Sequence, residues 1–314
     1  MSVTVKDFYD ASRAKIALEL VAGSGGMGRV IHEPAINRPG LALAGFFRHF
    51  AFRRIQVLGF AENDYLHCMA PERRRRALRA LFERRIPCLT VCRNRRVWPE
   101  ILEFSREFEV PVLRTPLITG AFINAATIMM ESLMAPRCSL QGTMIDIMGI
   151  GVLMEGRPGI GKSEAALALI ERGHSLVADD LTLMRRVDDR TIMGSAAGVT
   201  RYHLEIRGLG IIHVPSLFGV ASVRNEKALD LIVTLCKMDE FGEGDERVAQ
   251  RTRDVLGVPV PHLLVPVAPG RDLANVIEVA ALNEKLKRLG HDAAKELDDK
   301  LVAVMTKGAA HDDI

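Results

Sequence analysis

Val152-Leu153-Met154-Glu155-Gly156-Arg157-Pro158-Gly159-Ile160-Gly161-Lys162-Ser163 is an apolar run that ends in a glycine-punctuated loop and a lysine-serine pair. Gly156, Gly161, Lys162 and Ser163 fit G-x-x-x-x-G-K-[ST]. In that motif backbone N–H groups at a helix N-terminus cradle phosphates, the lysine reaches the β and γ oxygens, and the hydroxyl ligates magnesium. Glycines are needed because the backbone turns tightly and approaches the phosphate closely. The context agrees with the motif. The residues before it read as a buried strand, and Glu164 to Arg172 are rich in strong helix formers, with Gly173 placed to cap the helix.

A second apolar run, Ser175-Leu176-Val177-Ala178, ends in Asp179-Asp180 only one helix beyond Lys162. An open α/β sheet then predicts the two strand ends side by side at one sheet edge. Adjacent acids on a strand end point in different directions, so one can orient a metal while the other accepts a proton. Phosphoryl transfer asks little more of a protein than positioning, compensation of charge and a carboxylate for the acceptor hydroxyl's proton. A solvated turn is the alternative reading of the pair. Further on, His203-Leu204-Glu205-Ile206-Arg207-Gly208-Leu209-Gly210-Ile211-Ile212 offers an acid and a base. They suit a metal and a phosphate respectively, or a surface ion pair.

The 314 residues are 48% hydrophobic and 26% charged, an ordinary globular composition long enough for two domains. A net charge of +3 is too mild to argue for nucleic acid. The five cysteines, Cys68, Cys88, Cys92, Cys138 and Cys236, lack paired or Cys/His spacing. Neither a disulfide framework nor a zinc site is predicted, and a reducing cytoplasm fits better. No signal peptide is read at Met1-Ser2-Val3-Thr4. The most membrane-like stretch, Leu117 to Ala135, is interrupted by Gly120, Asn124 and Glu131 and is expected as a buried or interface helix of a soluble protein.

Residues 1–133 alternate helix-like and strand-like patches, with strands expected at Arg54 to Leu58 and Ile86 to Val91 and helices at Glu72 to Arg84 and Trp98 to Phe108. Arg73-Arg74-Arg75-Arg76 with Arg79, Arg84 and Arg85 sit beside Leu78, Leu81 and Phe82 at helical spacing. They read as the solvated face of an amphipathic helix, with an acidic-partner or nucleic-acid patch as the alternative. Gly23-Ser24-Gly25-Gly26-Met27-Gly28 matches G-x-G-x-x-G, but an extended segment follows where a helix should start, so an ordinary glycine loop is expected. Pro136-Arg137 mark a linker, and 134–314 form the second domain. There Thr143 to Met148 and Gly151 to Met154 are expected as strands around a turn at Gly149, Asp239 to Asp245 as a loop, and Val258-Pro259-Val260-Pro261 as a connection or edge strand. Asn283 to Lys307 read as a helical tail for core or subunit packing.

Glu205-Ile206-Arg207-Gly208-Leu209-Gly210-Ile211-Ile212, followed by Leu217-Phe218-Gly219, resembles the signature of the bacterial HPr kinase/phosphorylase family. The resemblance extends over nearly the whole chain, through Ile36 to Leu41, Arg54-Ile55-Gln56, Pro111 to Thr115, Gly173-His174, Ala178-Asp179-Asp180 and Ile277 to Ala281. It implies an N-terminal α/β domain followed by a P-loop-containing, PEP carboxykinase-like kinase domain. It also implies an ATP- and Mg2+-dependent kinase that phosphorylates a serine of HPr, the small carrier of the sugar phosphotransferase system. The reverse-direction reaction, phosphorolysis of the phosphoserine by inorganic phosphate giving pyrophosphate, comes with it, as does a homohexamer.

Position by position, the resemblance assigns nucleotide or phosphate binding to Gly156, Arg157, Pro158, Gly159, Ile160, Gly161, Lys162 and Ser163, and magnesium to Ser163 and Glu205. Asp180 becomes proton acceptor forwards and donor in reverse, with Asp179 supporting metal and base, and Arg247 matches the family's active-site arginine. Ala268-Pro269-Gly270-Arg271-Asp272-Leu273 matches the stretch tied to dephosphorylation. Two positions depart from the pattern. Gln141-Gly142 stands where the family carries His-Gly, and His213 where it commonly has a smaller polar residue. Glutamine hydrogen-bonds but cannot titrate, so Gln141 bears on efficiency, pH response and direction. That departure keeps two other readings open: a kinase of the same build acting on a different protein or small hydroxylated metabolite, and a nucleotide-binding regulatory protein with weakened turnover.

Overall fold

The computed structural model describes residues 2–240 and 251–300, less 294, 298 and 299. The chain divides into two compact units, Met1–Ala135 and Pro136–Ile314.

In the first unit a five-stranded sheet runs Glu19–Ala22, Val112–Arg114, Leu89–Val91, Ile55–Leu58, Ile36–Asn37; its last four strands are parallel. Short, nearly continuous apolar strands such as Ile55–Leu58 are what burial on both faces requires. One face packs against Leu66, Leu78, Leu81, Phe82, Ile101 and Phe104 of the helices Phe60–Cys68, Pro71–Glu83 and Pro99–Glu107. The other meets Val5 and Phe8 of Val5–Ser12 and the 16-residue helix Thr119–Met134. The latter buries Phe122, Ala126 and Met130, one residue per turn. Among the described residues no helix is long and apolar enough to cross a membrane.

The basic helix Pro71–Glu83 resolves its two readings. Arg74 pairs with Glu100 at 2.8 Å, Arg75 with Glu103, and Arg79 with Glu107 at 2.7 Å, all three acids lying on Pro99–Glu107. Arg74 also lies 4.2 Å above the centroid of the Trp98 ring. These arginines are therefore engaged by a neighbouring helix of the same unit, which sequence spacing within one helix could not show. Ser24–Gly28 forms a short 3-10 turn followed by the strand Val30–Ile31, an ordinary glycine loop.

The second unit is layered as helices, mixed sheet and antiparallel sheet. The six-stranded sheet runs Ser175–Ala178, Thr143–Ile147, Ile150–Gly156, Leu231–Lys237, Val258–Val267, Arg251–Val255. Alternation sorts its side chains. Ile145, Val152, Met154, Leu176, Val233 and Leu235 face the helices Lys162–Glu171 and Leu273–Arg288, while Met144, Leu153, Val177 and Ile232 face the four-stranded sheet Glu226–Ala228, Ile192–Ala196, Leu181–Arg186, Arg137–Gln141. Thr143–Ile147 and Ile150–Gly156 form a hairpin closed by Met148 and Gly149, both at positive φ.

Two expectations change. The strand ends at Gly156 and Ala178 are not side by side, because Thr143–Ile147 inserts between them, antiparallel to both. Val258 to Pro261 are not a connection but the first half of a ten-residue strand. That half pairs only with Arg251–Val255, since the parallel register with Leu231–Lys237 begins at Ile232 opposite His262. Pro259 and Pro261 alternate onto the side with no ladder partner, where a missing N–H costs nothing.

Candidate active site

Ile150–Gly156 delivers the chain into the phosphate loop, and Lys162–Glu171 starts directly behind it. Gly161 caps that helix at φ +107°, a conformation side chains disfavour, and the helix's first N–H groups face the loop. Lys162 Nζ donates to Gly156 O at 2.9 Å and Arg157 O at 3.2 Å, which arches it over the loop. Arg157 itself points outward to Glu240 at 2.8 Å.

A cavity of about 430 Å³ opens against the loop. Lys162, Ser163 and Glu164 line it together with Asp180, Glu205 and Arg207. Glu205 lies in the strand His203–Ile206 and Arg207 starts the turn that leads to Gly210–His213, so the closed end of the hairpin carries both. A Cβ built on Gly159 would lie 3.3 Å from Arg207 Nη1, which shows how closely this guanidinium approaches the loop. The sequence left this acid and base open between a metal and phosphate site and a surface ion pair; both residues line the cavity.

The two aspartates have separate environments. Asp180 is exposed at φ +60°, a left-handed conformation that Asp tolerates. Its backbone turn is held by Leu181 N–H donating to Asp179 O at 2.7 Å and Gly142 N–H donating to Asp180 O at 2.8 Å. Asp179 is only 7% exposed. Its Oδ1 accepts from Thr143 Oγ1 at 2.8 Å and its Oδ2 from Glu205 N–H at 3.0 Å. Burial pushes its pKa upward, opposed by these two hydrogen bonds and reinforced by the charge of Asp180. Asp179 thus supports the cavity from behind, and Asp180 faces it. No sequence pattern marked Thr143, the first residue of the strand Thr143–Ile147.

Gln141 is exposed and lies opposite Leu181 in the strand pair Arg137–Gln141/Leu181–Arg186, beside the Asp180 turn. Ala268 to Leu273 do not line the cavity. Asp272 caps Leu273–Arg288 by accepting from Asn275 N–H at 3.1 Å, and pairs with Arg172 at 2.7 Å. Arg172 also reaches Glu278 at 3.0 Å, where His174 Nε2 meets the same carboxylate at 3.1 Å. The Arg172 contact, first among its partners, holds the Glu278 carboxyl below the usual range. The segment thus braces the back of the loop helix. Arg247 lies outside the described residues, as do most of Asp239 to Asp245 and the end of the helical tail.

Among the described residues no group of three or more His, Cys, Asp or Glu side chains is arranged to hold a metal ion. The oxygen donors at the cavity, the Ser163 hydroxyl with the Glu205 and Asp180 carboxylates, suit a hard cation that takes its remaining ligands from phosphates and water, as magnesium does. The donor set therefore fits a magnesium nucleotide.

Comparison with known proteins covers both units. Residues 3–130 match the family model of the HPr serine kinase N terminus, and residues 132–301 that of the HPr serine kinase C-terminal domain. The chain is 42% identical over 282 residues to the HPr kinase/phosphorylase of Caldicellulosiruptor bescii, covering 89% of this chain and 90% of the relative. It is 40% identical over 308 residues to that of Bacillus licheniformis, covering 98% of each. The solved structure titled as the Hpr(Ser) kinase/phosphatase from Coxiella burnetii is 36% identical, with a TM-score of 0.47, over 51% of this chain and 98% of that one.

Proposed function

The chain belongs to the HPr serine kinase family, and from that membership we propose a protein-serine kinase and phosphorylase that acts on HPr and runs both directions through the cavity at the phosphate loop. ATP is the forward phosphoryl donor and inorganic phosphate the reverse acceptor. The observation that carries this reading is that Asp180 and Arg207 line the same cavity as Lys162 and Ser163.

In the forward direction Asp180 takes the proton of the HPr serine hydroxyl as its oxygen attacks the γ-phosphorus, and the bond to the β-phosphate oxygen breaks to release ADP. In reverse, a phosphate oxygen attacks the phosphoserine phosphorus, the serine oxygen leaves and takes the proton from Asp180, and pyrophosphate forms. Loop N–H groups and Lys162 hold the phosphate that does not react, so the same cradle serves a nucleotide's β-phosphate or a free phosphate. Arg207 offsets charge on the transferring group. Ser163 and Glu205 hold Mg2+, which supplies compensation of phosphate charge when bound. Arg247 belongs to the same site, and the Ala268 to Leu273 segment acts on dephosphorylation by bracing the loop helix. The enzyme works in the cytoplasm as a homohexamer.

The test is transfer from γ-labelled ATP to purified HPr with Mg2+, followed by mass spectrometry of the acceptor. Label on one serine supports the reading; nucleotide bound with no transfer to HPr sinks it in favour of another acceptor or a regulatory role.

A further inference from the structure

We infer that Thr143 is a positioning residue: with Asp179 it forms a buried clasp that fixes the backbone of Glu205, and so sets the cation end of the cavity. The inference rests on the proposed role of Glu205 as a metal ligand.

The hairpin His203–Ile206/Gly210–His213 is a two-stranded sheet of its own and joins neither larger sheet through a ladder. A two-stranded hairpin has little stability by itself in water and takes its position from what it packs on. Leu204 and Ile206 supply apolar anchorage on the core beneath the loop helix, but apolar contacts leave freedom to slide and tilt. Direction comes from the polar tie between Glu205 N–H and Asp179 Oδ2. Asp179 can hold that donor only if its own carboxylate is fixed. It is nearly enclosed, and its other oxygen is taken by Thr143 Oγ1.

Thr143 is fully buried and set rigidly in the sheet, opposite Met154 on the strand that enters the phosphate loop. Three segments far apart in sequence, around positions 143, 179 and 205, therefore meet at one carboxylate. A shift of the phosphate-loop strand reaches Glu205 through two hydrogen bonds. Removing the Thr143 hydroxyl takes the side-chain donor away from Asp179 Oδ1, a costly loss for a nearly enclosed charged group. The carboxylate then turns toward other donors or water and releases the Glu205 amide.

The test compares Thr143→Val, which keeps the β-branched shape and loses the donor, with Thr143→Ser, which keeps the donor. Two readouts need no acceptor protein: amide hydrogen exchange at residues 203–206, and the Mg2+ concentration that half-saturates binding of a fluorescent ATP analogue. The expected result for Thr143→Val is about tenfold faster exchange at Glu205 and about a tenfold higher Mg2+ requirement, the scale seen when groups behind a metal ligand are removed. Velocity at saturating Mg2+ should fall less, and Thr143→Ser should stay within about twofold of the parent on both readouts. The inference is overturned if Thr143→Val lowers the melting temperature while both readouts stay put, or if Thr143→Ser behaves like Thr143→Val. A parent enzyme that binds magnesium nucleotide yet transfers nothing to HPr defeats the proposed acceptor and leaves the clasp standing.

Discussion

Replacing Asp180 by Asn separates chemistry from fold at the most consequential position of the cavity. Asp180 sits at φ +60° in a turn held by backbone hydrogen bonds from Gly142 N–H to Asp180 O and from Leu181 N–H to Asp179 O. Asn is as comfortable as Asp in that left-handed conformation, so Asp180→Asn keeps the turn and removes only the proton acceptor. Loss of a general base costs about 10²–10⁴ in rate, or roughly 3–5 kcal/mol of transition-state stabilisation. Asp180→Ala removes the same base and also the short polar side chain that eases the left-handed conformation, a loss of about 1 kcal/mol that lowers the melting temperature of a unit this size by about 2–4 °C. The assay is steady-state transfer to HPr alongside thermal unfolding of the parent and both variants. The expected pattern is equal loss of activity in the two variants, with destabilisation confined to Asp180→Ala. Activity of Asp180→Asn within tenfold of the parent would refute the assignment of Asp180 as proton acceptor.

Burial pushes the thiol of Cys88 up to about 12 and that of Cys92 up to about 11. At pH 8 a thiol reagent should therefore modify exposed Cys68 in the native protein and reach Cys88 and Cys92 only after unfolding. Because those folded-state values lie above the unfolded one, the stability they contribute is complete below the unfolded thiol pKa and is lost as pH rises through about 9 toward 11–12. Melting curves should decline over that alkaline window. Asp230 accepts from Gly151 N–H at 2.7 Å and pairs with Arg288; Asp230→Ala should cost about 1–3 kcal/mol in denaturant unfolding, and an unchanged midpoint would show the tie to be idle. Gln141→His places a titrating ring beside the Asp180 turn and should add an inflection near pH 6–7 to the rate profile; an unaltered profile would mean position 141 does not reach the proton in flight.

Much of the site was legible because the phosphate loop is a local motif whose strand, glycines and helix are contiguous in the chain. The same holds for the fold class, since apolar runs of strand length alternate with helix-forming stretches. What escaped depends on pairing between distant segments. Strand order is one case: nothing in Ser175 to Ala178 announces that Thr143–Ile147 will lie between it and the loop strand. Thr143 is another, because its hydroxyl acquires meaning only when Asp179 arrives from 36 residues away. The prolines at 259 and 261 left a connection and an edge strand equally open, and only the pairing shows that each faces the side where the neighbouring strand has not begun. The arginines of the basic helix read as free charge until Pro99–Glu107 presents its glutamates.

In the proposed mechanism one phosphate seat and one aspartate serve both directions. It is tested most directly by phosphorus NMR of HPr with ATP and Mg2+, followed by addition of inorganic phosphate, for the parent and for Asp180→Asn. The account predicts a phosphoserine resonance that later gives way to pyrophosphate in the parent, with both conversions slowed together in the variant. A variant that loses one direction and keeps the other at the parent's rate would contradict it.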